Sequence, residues 1–172
     1  MITDKMQAAL NAQMNAEMYS SYLYLSMAAY FESRNLQGFA HWMHQQAKEE
    51  WVHAMKFYKF INDRMGRVIV REIEAPKTEW ASPLEVFEDV AAHEAKVTAL
   101  IGKLVEQAAA EKDHATAVFL NWFVQEQVEE EASADYIVQT LRAVGDSVGG
   151  LYQLDHRLGK RKFTFRRAQA LV

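Results

Sequence analysis

The sequence predicts an all-α protein: four long helices in a bundle, a long crossover between the second and third, and a short fifth helix. Three observations carry this. Helix breakers are scarce, with two prolines and seven glycines in 172 residues, and both prolines fall close together at Pro76 and Pro83. Apolar residues recur in alternating steps of four and three along four long stretches. The link between the first two stretches is very short, whereas residues 67–81 lose the helical pattern altogether.

Totals narrow the function classes. Half of the residues are hydrophobic, enough for one well-filled core, so one domain is expected over 1–172. A net charge of −4 offers no bulk attraction to nucleic acid. With no cysteine, disulfides, thiolate sites and iron–sulfur clusters are excluded, and oxygen and nitrogen remain as the strong metal ligands. The first residues lack a signal-peptide pattern, and no apolar run approaches about 18 residues. The expectation is a soluble, unexported, cytoplasmic protein with no membrane partner.

The first helix is expected over about 4–33, capped by Thr3 or Asp4, with the seam Met6, Leu10, Gln13, Glu17, Ser20, Tyr24, Met27 and Phe31. The second, about 36–65, has Asn35 available as N-cap and Gly66 suited to the left-handed stop, and its seam is Phe39, Met43, Gln46, Glu50, His53, Phe57 and Phe60. So short a turn makes the two antiparallel neighbours. Residues 67–81, with the β-favouring triplet Val68-Ile69-Val70, read as an extended connection able to travel the length of a bundle.

Ser82-Pro83-Leu84-Glu85 opens the third helix, about 83–111, with serine at N-cap, proline at N1 and glutamate closing a capping box. Its seam is Phe87, Val90, Glu94, Val97, Ile101, Leu104 and Ala108. Asp113 is a plausible cap for the fourth helix, about 114–144, with Leu120, Phe123, Gln127, Glu130, Ala134, Ile137, Leu141 and Val144 on its seam and Gly145 at its end. A short helix over about 147–158 and a basic tail, 159–172, follow. The tail, Lys160 to Arg167 at its most basic, is expected to be solvated, and contact with nucleic acid is the weaker alternative.

Each long seam is interrupted near mid-length by acid: Glu17, Glu50 with His53, Glu94, and Glu130. Glu50 and His53 stand at i and i+3, one turn apart on the same face, where they can grip one ion. Buried alone, each ionised carboxylate would cost several kcal/mol or take up a proton. Two divalent cations would cancel four such charges, and carboxylates with one imidazole suit iron or manganese better than zinc. The bland alternative is a protonated or salt-bridged polar layer that only fixes helix register.

Asn15-Ala16-Glu17-Met18, Glu49-Glu50-Trp51-Val52-His53 and Glu126-Gln127-Val128-Glu129-Glu130 extend this pattern, and with them almost the whole chain resembles a bacterial non-haem ferritin, a ferritin-like di-iron carboxylate protein. The resemblance implies that Glu17, Glu50 and His53 hold one iron, that Glu50 bridges to a second held also by Glu94 and Glu130, and that Gln127 is an amide beside the pair. It implies a third iron site at Glu49, Glu126, Glu129 and Glu130. The function implied is ferroxidase and iron storage: Fe(II) oxidised by O2 or H2O2, and Fe(III) kept as mineral in a hollow cage of twenty-four subunits. Tyr24, seven residues after Glu17 on the same face, would bond a ligand or lend an electron; a packed core aromatic is the equal alternative. Trp122 invites the electron-donor idea less strongly.

Departures from relatives matter as well. The resemblance to bacterioferritins stops at Gln127 and Glu130, where those proteins carry Glu-x-x-His, and at Trp51, where they carry a haem-binding methionine, so haem is not expected. A di-iron peroxidase or oxidase and a non-redox helical cage stay as alternative functions. The remaining histidines, 41, 44, 93, 114 and 156, are expected to be ordinary surface residues.

Overall fold

In the computed structural model, residues 2–163 are described, and among them the chain forms five helices and no strand. These are α1 (Asp4–Ser33), α2 (Gln37–Asp63), α3 (Pro83–Ala110), α4 (His114–Val144) and α5 (Val148–Leu158). Every residue of the first, third and fourth seams is buried except half-buried Val144, and in the second only Phe60 is half-buried. The chain forms two compact units: residues 1–80 with 146–172, and residues 81–145.

In the first unit α1 and α2 pack antiparallel. Phe31 stacks on Phe39 with ring centroids 5.0 Å apart, Ser21 Oγ donates to Ala47 O at 2.7 Å, and Ile2 N donates to Arg64 O at 3.4 Å. That register places Glu17 of α1 level with Glu50 and His53 of α2. Residues 67–80 then run extended along α1, in the direction of α1, tied by its polar side chains. Asn11 bonds Ile69 N at 2.6 Å and Arg67 O at 3.0 Å, Asn15 donates to Glu72 O at 3.3 Å, and Ser26 to Lys77 O at 2.7 Å. Trp80 ends the segment edge-on to Tyr30 at 5.3 Å.

The turns differ from expectation in two places. Asn35, with φ 57°, is the left-handed residue that stops α1 and does not cap α2. Met65, with φ 58°, takes the left-handed position after α2 that Gly66 was expected to fill, so α2 closes at Asp63. The cap of α2 comes instead from α5: Asp155 Oδ1 accepts from Gly38 N at 2.8 Å and Phe39 N at 3.0 Å. A carboxylate on two free N–H groups of a first turn satisfies them and complements the helix dipole. The approach needs glycine, because a Cβ on Gly38 would lie 1.7 Å from Asp155 O.

Other caps follow the sequence. Thr3 Oγ1 accepts from Met6 N, Ser82 Oγ from Glu85 N, and Asp113 Oδ1 from Thr116 N. In the second unit α3 and α4 are antiparallel, with Arg142 paired to Glu88 at 2.9 Å and Thr98 Oγ1 donating to Glu131 Oε1 at 2.5 Å. Along α5 Leu154 and Leu158 are buried, while Val148 and Tyr152 face solvent. Residues 164–172 of the expected basic tail lie outside the described residues. Its described part departs from a solvated tail at Arg161, whose side chain is only 18% exposed and turns inward.

Candidate metal centre

Helix periodicity and the α1–α2 register converge on one spot. Ligand atoms of Glu17, Glu50 and His53 all lie within 4.8 Å of one another, and the three residues are 1–3% exposed. Each carboxylate is held by an amide one turn earlier on its own helix: Gln13 Nε2 donates to Glu17 Oε1 at 2.9 Å, and Gln46 Nε2 to Glu50 Oε1 at 3.0 Å. His53 Nδ1 stands 3.3 Å from Glu50 Oε2. The other oxygen of Glu17, Oε2, is buried and makes no hydrogen bond.

The electrostatics of the cluster favour a positive charge beside Glu17. Burial, and then the neighbouring Glu50 carboxylate, push the Glu17 carboxyl up from 4.5 to about 8, against the lowering influence of His53 and Gln13. At neutral pH the carboxyl therefore holds a proton that a cation can replace. Two oxygens and one imidazole nitrogen, preoriented by amides, form a donor set that fits iron or manganese.

In the second unit Glu94 and Glu130 are 2% and 3% exposed. Gln127 Nε2 lies 3.2 Å from Glu94 Oε2, 3.3 Å from Glu94 O and 3.2 Å from Thr98 Oγ1, so this amide orients the Glu94 carboxylate. Of the residues assigned to a third iron, Glu126 is 7% exposed, Glu129 is exposed, and Glu49 is 2% exposed and paired with Arg161 Nη2 at 2.5 Å. Tyr24 is fully buried, Trp122 packs edge-on to Phe123 at 4.8 Å, and Trp51 is half exposed.

Three contacts at or beside the cluster were not legible in the sequence. Gln13 and Gln46 were visible only as seam residues, although each stands four before a carboxylate, which is the signal that could have identified them. Arg161 read only as one of the charges of the basic tail, with nothing to link it to Glu49. Two histidines also depart from ordinary surface residues. His41 Nε2 is within 2.7 Å of Arg161 O, and His93 is half-buried, with desolvation and then Lys96 lowering its pKa to about 4.

Comparison with known proteins agrees with this architecture. The family model described as "Ferritin-like domain" matches residues 7–144. The bacterial non-heme ferritin of Bacteroides fragilis (strain 638R) is 50% identical over 161 residues, covering 94% of this chain and all of that protein. Its counterpart in Staphylococcus aureus (strain MRSA252) is 42% identical over 163 residues, covering 95% and 98%. Among solved structures, an engineered closed form of the Archaeoglobus fulgidus ferritin matches with a TM-score of 0.94 at 54% identity, over 95% of this chain and all of that one. The open-pore ferritin from the same archaeon matches at 0.93 and 53%, over 94% and 98%. The fold class is that of these neighbours, an all-α ferritin-like four-helix bundle with a short fifth helix.

Proposed function

Because the chain belongs to the ferritin family, we propose that it is an iron-storage ferritin with ferroxidase activity, whose subunits assemble into a cage of twenty-four. The observation that carries this reading is the buried Glu17–Glu50–His53 cluster, with its acid–imidazole ligand set. Fe(II) is the substrate. On this reading Glu17, Glu50 and His53 hold one Fe(II), Glu50 bridges, and Glu94 and Glu130 hold the second, with Gln127 orienting Glu94. The burial of both residues and the Gln127 hydrogen bond support it. A family match running from residue 7 to residue 144, across both compact units, supports one domain.

Two Fe(II) ions roughly 3.5 to 4 Å apart can each give one electron to the same oxidant. With O2, two electrons and two protons yield H2O2; with H2O2, the same two yield water. The protein supplies the geometry and the proton bookkeeping. Carboxylates stabilise Fe(III) over Fe(II), and the Glu17 proton leaves as the cation arrives, so part of the added positive charge is offset in the dry interior. Ferric product then passes by way of Glu49, Glu126 and Glu129 to the mineral, in a cytoplasmic protein. Tyr24, buried on the Glu17 face, is assigned as electron donor or ligand partner. Haem is not part of this reading.

The test is to add Fe(II) aerobically to the purified protein and to follow ferric absorbance together with particle size. Oxidation with iron retained in a large shell supports storage. Oxidation with the product released would favour a di-iron oxidase instead, and no uptake would leave a non-redox cage.

A further inference from the structure

After α5 the chain folds back over α2. Asp155 caps Gly38 and Phe39, His41 Nε2 meets Arg161 O at 2.7 Å, and the Arg161 guanidinium lies 4.3 Å over the Trp42 ring, with Nη2 2.5 Å from Glu49 Oε2. Glu49 is 2% exposed and precedes Glu50 directly. A fixed positive charge thus sits on a buried carboxylate next to the metal centre. The guanidinium leaves Glu49 only by moving. Its other terminal nitrogen, Nη1, is buried without a hydrogen-bond partner, so the site holds the cation incompletely.

We propose that Arg161 is a positioning residue that stands in for a metal ion at Glu49, so that an ion beyond the first pair binds there only by displacing the guanidinium. The inference rests on the reading of Glu17, Glu50 and His53 as a metal centre and adds to it a competition between cations. A metal ion and a guanidinium, both cationic, repel one another at the oxygen that Arg161 holds at 2.5 Å and so compete for it. Because the anchor is the main-chain contact of Arg161 to His41, the side chain can swing away while α5 stays capped on α2. A filled Glu49 would then coincide with a bare Trp42 ring. Such a lock favours filling of the Glu17–Glu50–His53 centre before Glu49.

The experiment is Zn(II) titration of the assembled full-length protein by calorimetry, comparing wild type with Arg161→Gln and Arg161→Lys. Losing a charged hydrogen bond of ordinary strength should tighten binding of the third ion per subunit about tenfold or more in Arg161→Gln. Arg161→Lys, which keeps the charge, should stay near wild type, and the first two ions should bind alike in all three. A second readout needs no variant at Arg161: the difference in emission between wild type and Trp42→Phe should change as the third equivalent is added. Third-ion affinity equal in wild type and Arg161→Gln, or Trp42 emission blind to the third ion, overturns the lock alone. Absence of binding by Zn(II) and by anaerobic Fe(II) alike overturns the metal centre and the lock with it.

Discussion

Gln13 Nε2 donates to Glu17 Oε1 at 2.9 Å across one turn of α1, leaving the second oxygen of Glu17 buried and without a hydrogen bond. The amide fixes the carboxyl group, one oxygen of which lies within 4.8 Å of ligand atoms of Glu50 and His53. Replacing Gln13 by leucine is expected to lower metal affinity at pH 7 by about 10- to 100-fold, the usual cost of removing a partner that orients a ligand. It also removes a contact that lowers the Glu17 pKa, so the deficit should narrow at pH 9. Zn(II) calorimetry at the two pH values checks both.

Glu17 gives the metal-free protein a pH-dependent stability. Its folded pKa of about 8 lies above the unfolded value of 4.5, so between them the folded state holds more protons. Its contribution is most favourable below pH 4.5 and falls as pH rises to 8. The loss is on the order of a few kcal/mol. Denaturant melts of metal-free protein over this range should decline accordingly, and Glu17→Gln should flatten the decline. Zn(II) binding at pH 7 should release about one proton from this group, measurable in buffers of differing ionisation enthalpy.

Replacing Glu50 by alanine removes the ligand that the proposed function assigns as the bridge, while shortening a side chain at one buried position. Initial Fe(II) oxidation should fall by more than about a hundredfold, with particle size by light scattering unchanged. An unchanged initial rate would rule Glu50 out as the bridge.

The Asp155 cap predicts a stability effect remote from the centre. Asp155→Ala should cost about 1 kcal/mol, and Gly38→Ala more, because its Cβ meets the Asp155 carbonyl and must push α5 away. Denaturant midpoints and amide exchange in the first turn of α2 measure both.

What the sequence made legible was whatever repeats along one helix. Seams read by steps of four and three named residues of α1 to α4 that are nearly all buried, because burial on a helix obeys a local period, although α2 also buries Trp42, Ala54 and Ile61 outside its seam. The centre was legible because carboxylates interrupting those seams are costly without a cation. Contacts set by tertiary approach left no such trace. Asp155 reaches α2 across more than a hundred residues of chain, as Arg161 does to reach Glu49, and no periodicity links them. Asn11, Asn15 and Ser26 looked like ordinary polar positions until the extended segment was seen to need partners for its backbone. The helix stops at Asn35 and Met65 turned on which residue accepts a left-handed backbone, a choice made by the neighbouring turn as well as by residue type.

The most direct test is anomalous scattering at the iron edge from crystals soaked anaerobically with Fe(II). The account predicts two peaks per subunit about 3.5 to 4 Å apart. One should lie within bonding distance of Glu17, Glu50 and His53, and the other against Glu50, Glu94 and Glu130. Saturating iron with no peak bonded to Glu50 would contradict it.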